Sequence, residues 1–225
     1  MNARTWHGTL RWFLLTLTLT CVSPDAIPAP PVPPASRADA VEALKDAAAE
    51  RRAEALAWFA QHGRIADQPL LLARLRDADP FVRGFAEQAL WRLWSRSGEP
   101  ALDLLLAAGI EQMQTARYEE AIATFSEVIR RKPAFAEGWN KRATAYYLAG
   151  SFQRSLRDCD EVLKRNPHHF GALSGYGQIH FHLEQHDKAL AYWRRALAVN
   201  PNMPGVELNI QAVEELLRQK RGRSI

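Results

Sequence analysis

From Ser36 to the carboxyl end, apolar residues recur every three or four positions, the spacing that gathers them on one face of an α-helix. Val41, Leu44, Leu56 and Phe59 form such a stripe up to His62 and Gly63, and Ser36 with Asp39 three residues on predicts a capped start. A second pair of helices follows. Leu70 to Leu75 reads as a buried segment, and "DADPFVR" predicts a turn with Asp79 as N-cap and Pro80 at the first helical position of "FVRGFAEQALWRLW". Near the end, Pro204 starts a helix whose apolar face holds Leu208, Ile210, Val213, Leu216 and Leu217.

Between these ends the pattern repeats itself. Pro133, Pro167 and Pro201 are 34 residues apart, and the same step links Gly109, Ala143 and Gly177; Leu105, Trp139 and Leu173; Phe125, Cys159 and Trp193; Ala121, Ser155 and Ala189; and Ile122, Leu156 and Leu190. The residue types are physically consistent. Small columns let two antiparallel helices approach, large apolar columns fill the space beside them, and each proline closes the second helix.

This stretch resembles the tetratricopeptide repeat, whose pattern joins W-x2-L-G-x2-Y to A-x3-F and a final proline. The first unit carries Gly109, Tyr118, Ala121, Phe125 and Pro133; the second Trp139, Ala143, Tyr146, Gly150 and Pro167; the third Gly177, Ala189, Ala196 and Pro201. Arg142, Ser155 and Glu184 depart from the pattern where a leucine, an alanine and a turn glycine are usual. The resemblance implies an all-α fold: a right-handed superhelix, or α-solenoid, of three repeats over residues 102–202, with a capping helix over 203–219 and a basic tail over 220–225. A helical N-terminal region, 36–101, precedes it. Through Asp77, Asp79, Pro80, Val82 and Arg83 that region resembles a single HEAT-type unit, and a helical cap for the array is the equal alternative.

The resemblance also implies a concave face lined by the first helix of each repeat. Its inward residues would be Leu106, Ile110 and Met113, then Asn140, Thr144 and Tyr147, then Ser174, Gln178 and Phe181. Relatives that grip a C-terminal carboxylate use lysine with asparagine or arginine at set groove positions. Leu106 with Ile110, and Asn140 with Thr144, stand there instead, so such a clamp is not expected although Lys141 and Arg142 are close.

The first 35 residues change the picture. Arg4 and Arg11 precede an apolar run of eleven residues, Trp12 to Val22, too short to span a bilayer but suited to a secretory signal, so residues 1–26 read as a signal peptide and the chain as exported to a periplasm or cell envelope. Thr18 and Thr20 flank Cys21 where a lipobox would carry Leu and Gly or Ala, so membrane association would need an uncleaved or lipidated N-terminus. "PDAIPAPPVPP" holds six prolines between Pro24 and Pro34, an extended composition that makes 27–35 a proline-rich linker.

Charge and cysteine content then exclude classes. The chain has 29 basic and 25 acidic residues for +4; losing the first 23 residues removes Arg4 and Arg11 and leaves 27 against 25, about +2, too mild to argue for nucleic acid. It also leaves Cys159 alone, so no intramolecular disulfide forms. Cys159, in the Phe125/Trp193 column, is expected to be a buried small hydrophobe. Five of the seven histidines, His168, His169, His180, His182 and His186, fall close together, but His180 and His182 lie about 200° apart on a helix, and His186 falls at a turn. They are expected to be exposed or half-buried, with no metal. The acids Glu119, Glu120, Asp158, Asp160, Glu161, Glu214 and Glu215 read as a solvated face, and no phosphate-binding glycine loop, G-x-S-x-G or H-E-x-x-H is present.

With no catalytic residues, metal or cofactor indicated, the sequence reads as a non-enzymatic adaptor or scaffold that binds a protein or peptide in the concave face. A structural envelope scaffold acting through oligomerisation, and an enzyme with an unrecognised site, are the alternatives.

Overall fold

The computed structural model describes residues 33–222. The signal segment, Cys21, most of the proline-rich linker and the last residues of the basic tail lie outside the described residues. Among those described there are eleven α-helices and no strand: α1 (Arg37–Ala43), α2 (Ala49–His62), α3 (Gln68–Arg74), α4 (Pro80–Trp94), α5 (Pro100–Gln114), α6 (Tyr118–Arg131), α7 (Ala136–Leu148), α8 (Phe152–Arg165), α9 (Phe170–His182), α10 (His186–Val199) and α11 (Pro204–Gly222).

Local chemistry explains the early boundaries. The Ser36 hydroxyl accepts from the Asp39 amide at 3.2 Å to start α1, and Asp46 Oδ1 accepts from the Ala48 amide at 2.8 Å to turn the chain into α2. Asp79 caps α4 by accepting from Phe81 N, with Pro80 following. The turn before it is held from inside: buried Asp77 takes a two-pronged bond from Arg52 (2.7 and 2.9 Å) and one from the Asp79 amide (3.0 Å), while Arg83 donates to the Asp77 and Ala78 carbonyls. Hydrogen bonding by Arg52 outweighs desolvation and keeps the Asp77 carboxyl below its ordinary range.

In the repeats, the 34-residue columns become matched volumes. A Cβ on Gly109 would meet the Phe125 ring at 2.4 Å, and one on Gly177 would meet Trp193 at 2.3 Å, so a large ring on the second helix demands glycine on the first. The middle repeat trades both together, packing Ala143 and Cys159 in one cluster. Ser155, in the alanine column, spends its hydroxyl on the Ala143 carbonyl at 2.7 Å. The turns between paired helices form a further column, Ala116, Gly150 and Glu184, all left-handed at φ +59°, +72° and +55°. Only glycine adopts that conformation without steric cost.

Arg142 takes a role that a leucine could not. It reaches Asp158 with two bonds (2.8 and 2.9 Å) and Ser126 Oγ at 3.0 Å, and lies over the Trp139 and Tyr146 rings, tying α7 to both α6 and α8. Asp158 is therefore buried and paired, not part of the solvated face that its neighbours suggest.

The α1–α4 region does not stand apart. Its core of Leu56, Phe59, Leu71, Leu75, Leu90 and Trp94 runs on into Phe170 at the start of α9, with Val199 and Met203 packed beside it. Trp94 stacks on His169 at 4.5 Å, Gln68 joins Trp94 Nε1 (2.6 Å) to Asn166 Oδ1 (3.2 Å), and Asn202 Nδ2 donates to the Leu75 carbonyl at 2.7 Å. The front helices thus dock on the loops that lead into α9 and α11.

Candidate functional site: the face of α7 and α9

The first helices of successive repeats, α5, α7 and α9, follow one another along the array. Between α7 and α9 lies a crevice of about 110 Å3 lined by Asn140, Thr144, Tyr147 and Gln178, floored by Ala143, Cys159 and Ile179, and thinned on the α9 side by Gly171 and Gly175. Its polar groups are unevenly spent. Thr144 Oγ1 donates to the Asn140 carbonyl at 3.0 Å, Tyr147 shares a 2.7 Å hydrogen bond with His182 Nε2, and Asn140 Nδ2 donates to Glu137 at 3.1 Å. The side chain of half-buried Gln178 makes no hydrogen bond with another described residue, so its amide group is available to a ligand.

Behind this wall is a feature that the helix pattern did not reveal. Glu137 and His169, both 0% exposed, meet at 3.0 Å through Oε2 and Nε2. Lys141 Nζ lies 3.0 Å from Glu137 Oε1. His169 Nδ1 accepts the Ala172 amide at 3.1 Å, which leaves the ring hydrogen on Nε2, aimed at the carboxylate. Desolvation alone would raise the Glu137 pKa, but the hydrogen bond from His169 and the charge of Lys141 hold it below the usual range. His169 is thus fully buried, contrary to the exposed or half-buried state expected of the histidines. The register held a signal for it: Phe135, His169 and Met203 form a 34-residue column, and a histidine in an otherwise apolar column needs a buried partner.

The nine groove positions part into three groups. Asn140, Thr144, Tyr147 and Gln178 come together on the crevice. Leu106 is buried in a cluster with Phe125, Phe135 and Ala145, against which Ile110 and Met113 pack, so the first-repeat end is sealed. Ser174 gives its carbonyl to Trp193 Nε1 at 3.2 Å, and Phe181 is 37% exposed beside His182 and His186. Lys141 and Arg142 are held by Glu137 and Asp158.

The remaining candidate chemistry is structural. Cys159 is buried, and desolvation with Asp158 and Asp160 pushes its thiol up to about 12, which leaves it protonated. His180 is buried against Gln185 while His182 is exposed, and no cluster of three metal-ligating side chains occurs among the described residues.

The tetratricopeptide-repeat model matches residues 106–161 and 140–204. A TPR repeat-containing protein of Rhizobium etli is 30% identical over 146 residues, which cover 65% of this chain and 72% of that protein. The chain belongs to the tetratricopeptide-repeat family. Hsp70-Hsp90 organizing protein 1 of Glycine max is 28% identical over 115 residues, about half of this chain but only 20% of that protein's length. Among solved structures, the Sgt2 TPR domain from Aspergillus fumigatus superposes with a TM-score of 0.52 at 18% identity, covering 55% of this chain and 83% of its own. The first TPR domain of Spaghetti, bound to an HSP90 peptide, does so at 0.50 and 22%, covering 52% and 93%. Both similarities establish the α-solenoid fold.

Proposed function

We propose that this tetratricopeptide-repeat protein is a non-enzymatic adaptor that holds an extended segment of another polypeptide on the α7/α9 face. One observation carries the reading: the crevice sets the uncommitted amide of Gln178 beside Tyr147, Asn140 and two glycines, so a partner backbone can come close, find amide hydrogen bonds and lay one side chain against an aromatic ring. That relatives of the same fold include a domain captured with a peptide lends support. The basic, apolar leader pattern supports an exported location, in a periplasm or cell envelope, which fractionation of cells expressing the full chain tests directly.

Photo-crosslinking tests the binding face. A photoreactive residue at position 147 should capture a discrete polypeptide in living cells, and the same residue at Gln153, exposed on α8, should not. Gln178→Ala with a probe still at 147 should weaken capture without moving the thermal midpoint. Capture unchanged by that substitution and equal from both positions would refute the reading.

A second reading has its own observation. On the outer side of α5, Leu104 is 72% exposed, with Ala101 and Ala108 exposed beside it, a surface that a second copy could cover in a scaffold. A monomer in solution at all accessible concentrations would remove it.

A further inference from the structure

A second cleft lies away from the α7/α9 face. Where the front helices meet the loop into α7, a cleft of about 450 Å3 opens between the end of α2, the α4–α5 connection and the ends of α6 and α8. Its walls carry Arg64, Arg96, Lys132 and Arg165, and no residue lining it is acidic. Below them the floor is apolar, with Phe135 and Leu93, and Ile65 stands 63% exposed at the edge.

Three of the four cations are held in place and set in a row. Arg96 donates to the Ala60 and Gly63 carbonyls at the end of α2, Lys132 Nζ donates to the Ser97 carbonyl next to Arg96, and Arg165 Nε donates to the Pro133 carbonyl next to Lys132. Glu99 pairs with Lys132 and Glu161 with Arg165; the Arg64 backbone amide donates to Asp67 Oδ2 at 2.9 Å, but the guanidinium groups of Arg64 and Arg96 form no ion pair with a carboxylate among the described residues. Backbone carbonyls fix the side chains without neutralising them, so part of the charge is left for a ligand.

We propose that this junction cleft is a second binding site, separate from the α7/α9 face, that takes an acidic peptide segment carrying one apolar side chain. A row of positive groups suits carboxylates spaced along an extended chain better than a single anionic head. The apolar floor supplies an anchor point, and the volume suits one large side chain with its flanking backbone. Single-stranded nucleic acid is the other polyanion to weigh. It needs several exposed aromatic faces for base stacking, whereas Trp94 and Phe135, the rings of the floor, are 4% and 8% exposed, and the one exposed ring in the lining, His62, already lies against Trp58 at 4.9 Å.

Fluorescence polarisation with the full chain tests this. The probe is fluorescein-labelled Glu-Glu-Leu-Glu-Glu, with Lys-Lys-Leu-Lys-Lys and Glu-Glu-Ser-Glu-Glu as controls. The acidic leucine probe should bind, more weakly as salt rises; the serine form should bind less well and the basic form not at all. Arg64→Glu and Ile65→Asp, both at exposed positions, should each weaken binding about ten-fold while thermal midpoints stay in place. Absence of binding, or binding untouched by both substitutions, overturns the proposal. So does displacement of the probe by oligo-deoxythymidine. Loss of binding in Tyr147→Ala would return the probe to the α7/α9 face and overturn it as well.

Discussion

The junction of α5 with α7 and that of α7 with α9 occupy equivalent places in the same 34-residue frame, yet they are built from opposite materials. The first is hydrocarbon: Leu106 is buried with Phe125, Phe135 and Ala145, and Ile110 and Met113 lie against them. The second is polar: Asn140 and Gln178 line an open crevice, and a buried carboxylate and imidazole stand behind it. A repeat frame therefore fixes backbone spacing while leaving each junction free to be a seal or a site. The difference rests on few positions, chiefly Leu106 against Asn140 and Phe135 against His169.

The largest test removes the buried anion. Glu137→Ala leaves His169 Nε2, Asn140 Nδ2 and Lys141 without their shared partner, and breaking a buried pair in this way costs about 3–5 kcal/mol, measurable by urea unfolding. Acid should produce the same loss gradually. Because the folded carboxyl titrates below its ordinary 4.5, its contribution is complete above that value and disappears as pH falls through the folded value. Glu137→Gln should lack this part of the acid limb. Equal acid sensitivity in wild type and Glu137→Gln would remove the buried pair from the account.

At the sealed junction the matching test is Leu106→Ala. It empties a well-packed hydrocarbon site and should cost about 3 kcal/mol. Unlike the Glu137 change, it should be independent of pH between about 3 and 5.5, the range over which carboxyl groups titrate. Crosslinking from position 147 should persist wherever the variant remains folded. A loss of capture would mean that the two junctions act as one.

Between these in kind, and smaller, is Gly171→Ala. Its Cβ would meet the Trp91 ring of α4 at 2.4 Å, so Trp91 must shift, with an expected cost of about 2 kcal/mol. This substitution asks how firmly the front helices shape the open junction. If the variant is as stable as wild type, Trp91 gives way freely and the contact does not constrain the crevice.

What the sequence made legible follows from which forces are periodic. The 34-residue columns are set by helix packing, and glycine facing a large ring at Gly109 and Gly177 is readable because size must complement size along the whole array. Asn140, Thr144, Tyr147 and Gln178 could be assigned to one side of the array because the resemblance supplied the helix faces, and the structure brings those four together on one crevice. The Glu137–His169 pair was hidden because an acid on an amphipathic helix reads as solvated, and its partner lies 32 residues away. The docking of Trp91 and Trp94 on α9 was hidden because contacts between a repeat and a non-repeating region leave no period. The sealing of Leu106 was hidden because it lies within the repeats but rests on residues that break the column, Leu106 against Asn140 and Phe135 against His169.

The finest distinction between the junctions lies in one hydroxyl. Tyr147 stands in the column that holds Met113 in the sealed junction, and its OH is joined to His182 Nε2 at 2.7 Å, across from α7 to α9. Tyr147→Phe keeps the ring, which also faces Phe152 at 5.8 Å and His182 at 5.4 Å, and deletes only that bond. Since His182 is exposed and water can replace the hydroxyl, the expected loss is at most about 1 kcal/mol in urea unfolding. Partner capture should discriminate further. If Tyr147 serves the ligand through its ring, Tyr147→Phe binds as wild type does while Tyr147→Ala does not. If both fail alike, the hydroxyl is what the partner reads, and the open junction recognises polar groups where its sealed neighbour could only have offered a thioether.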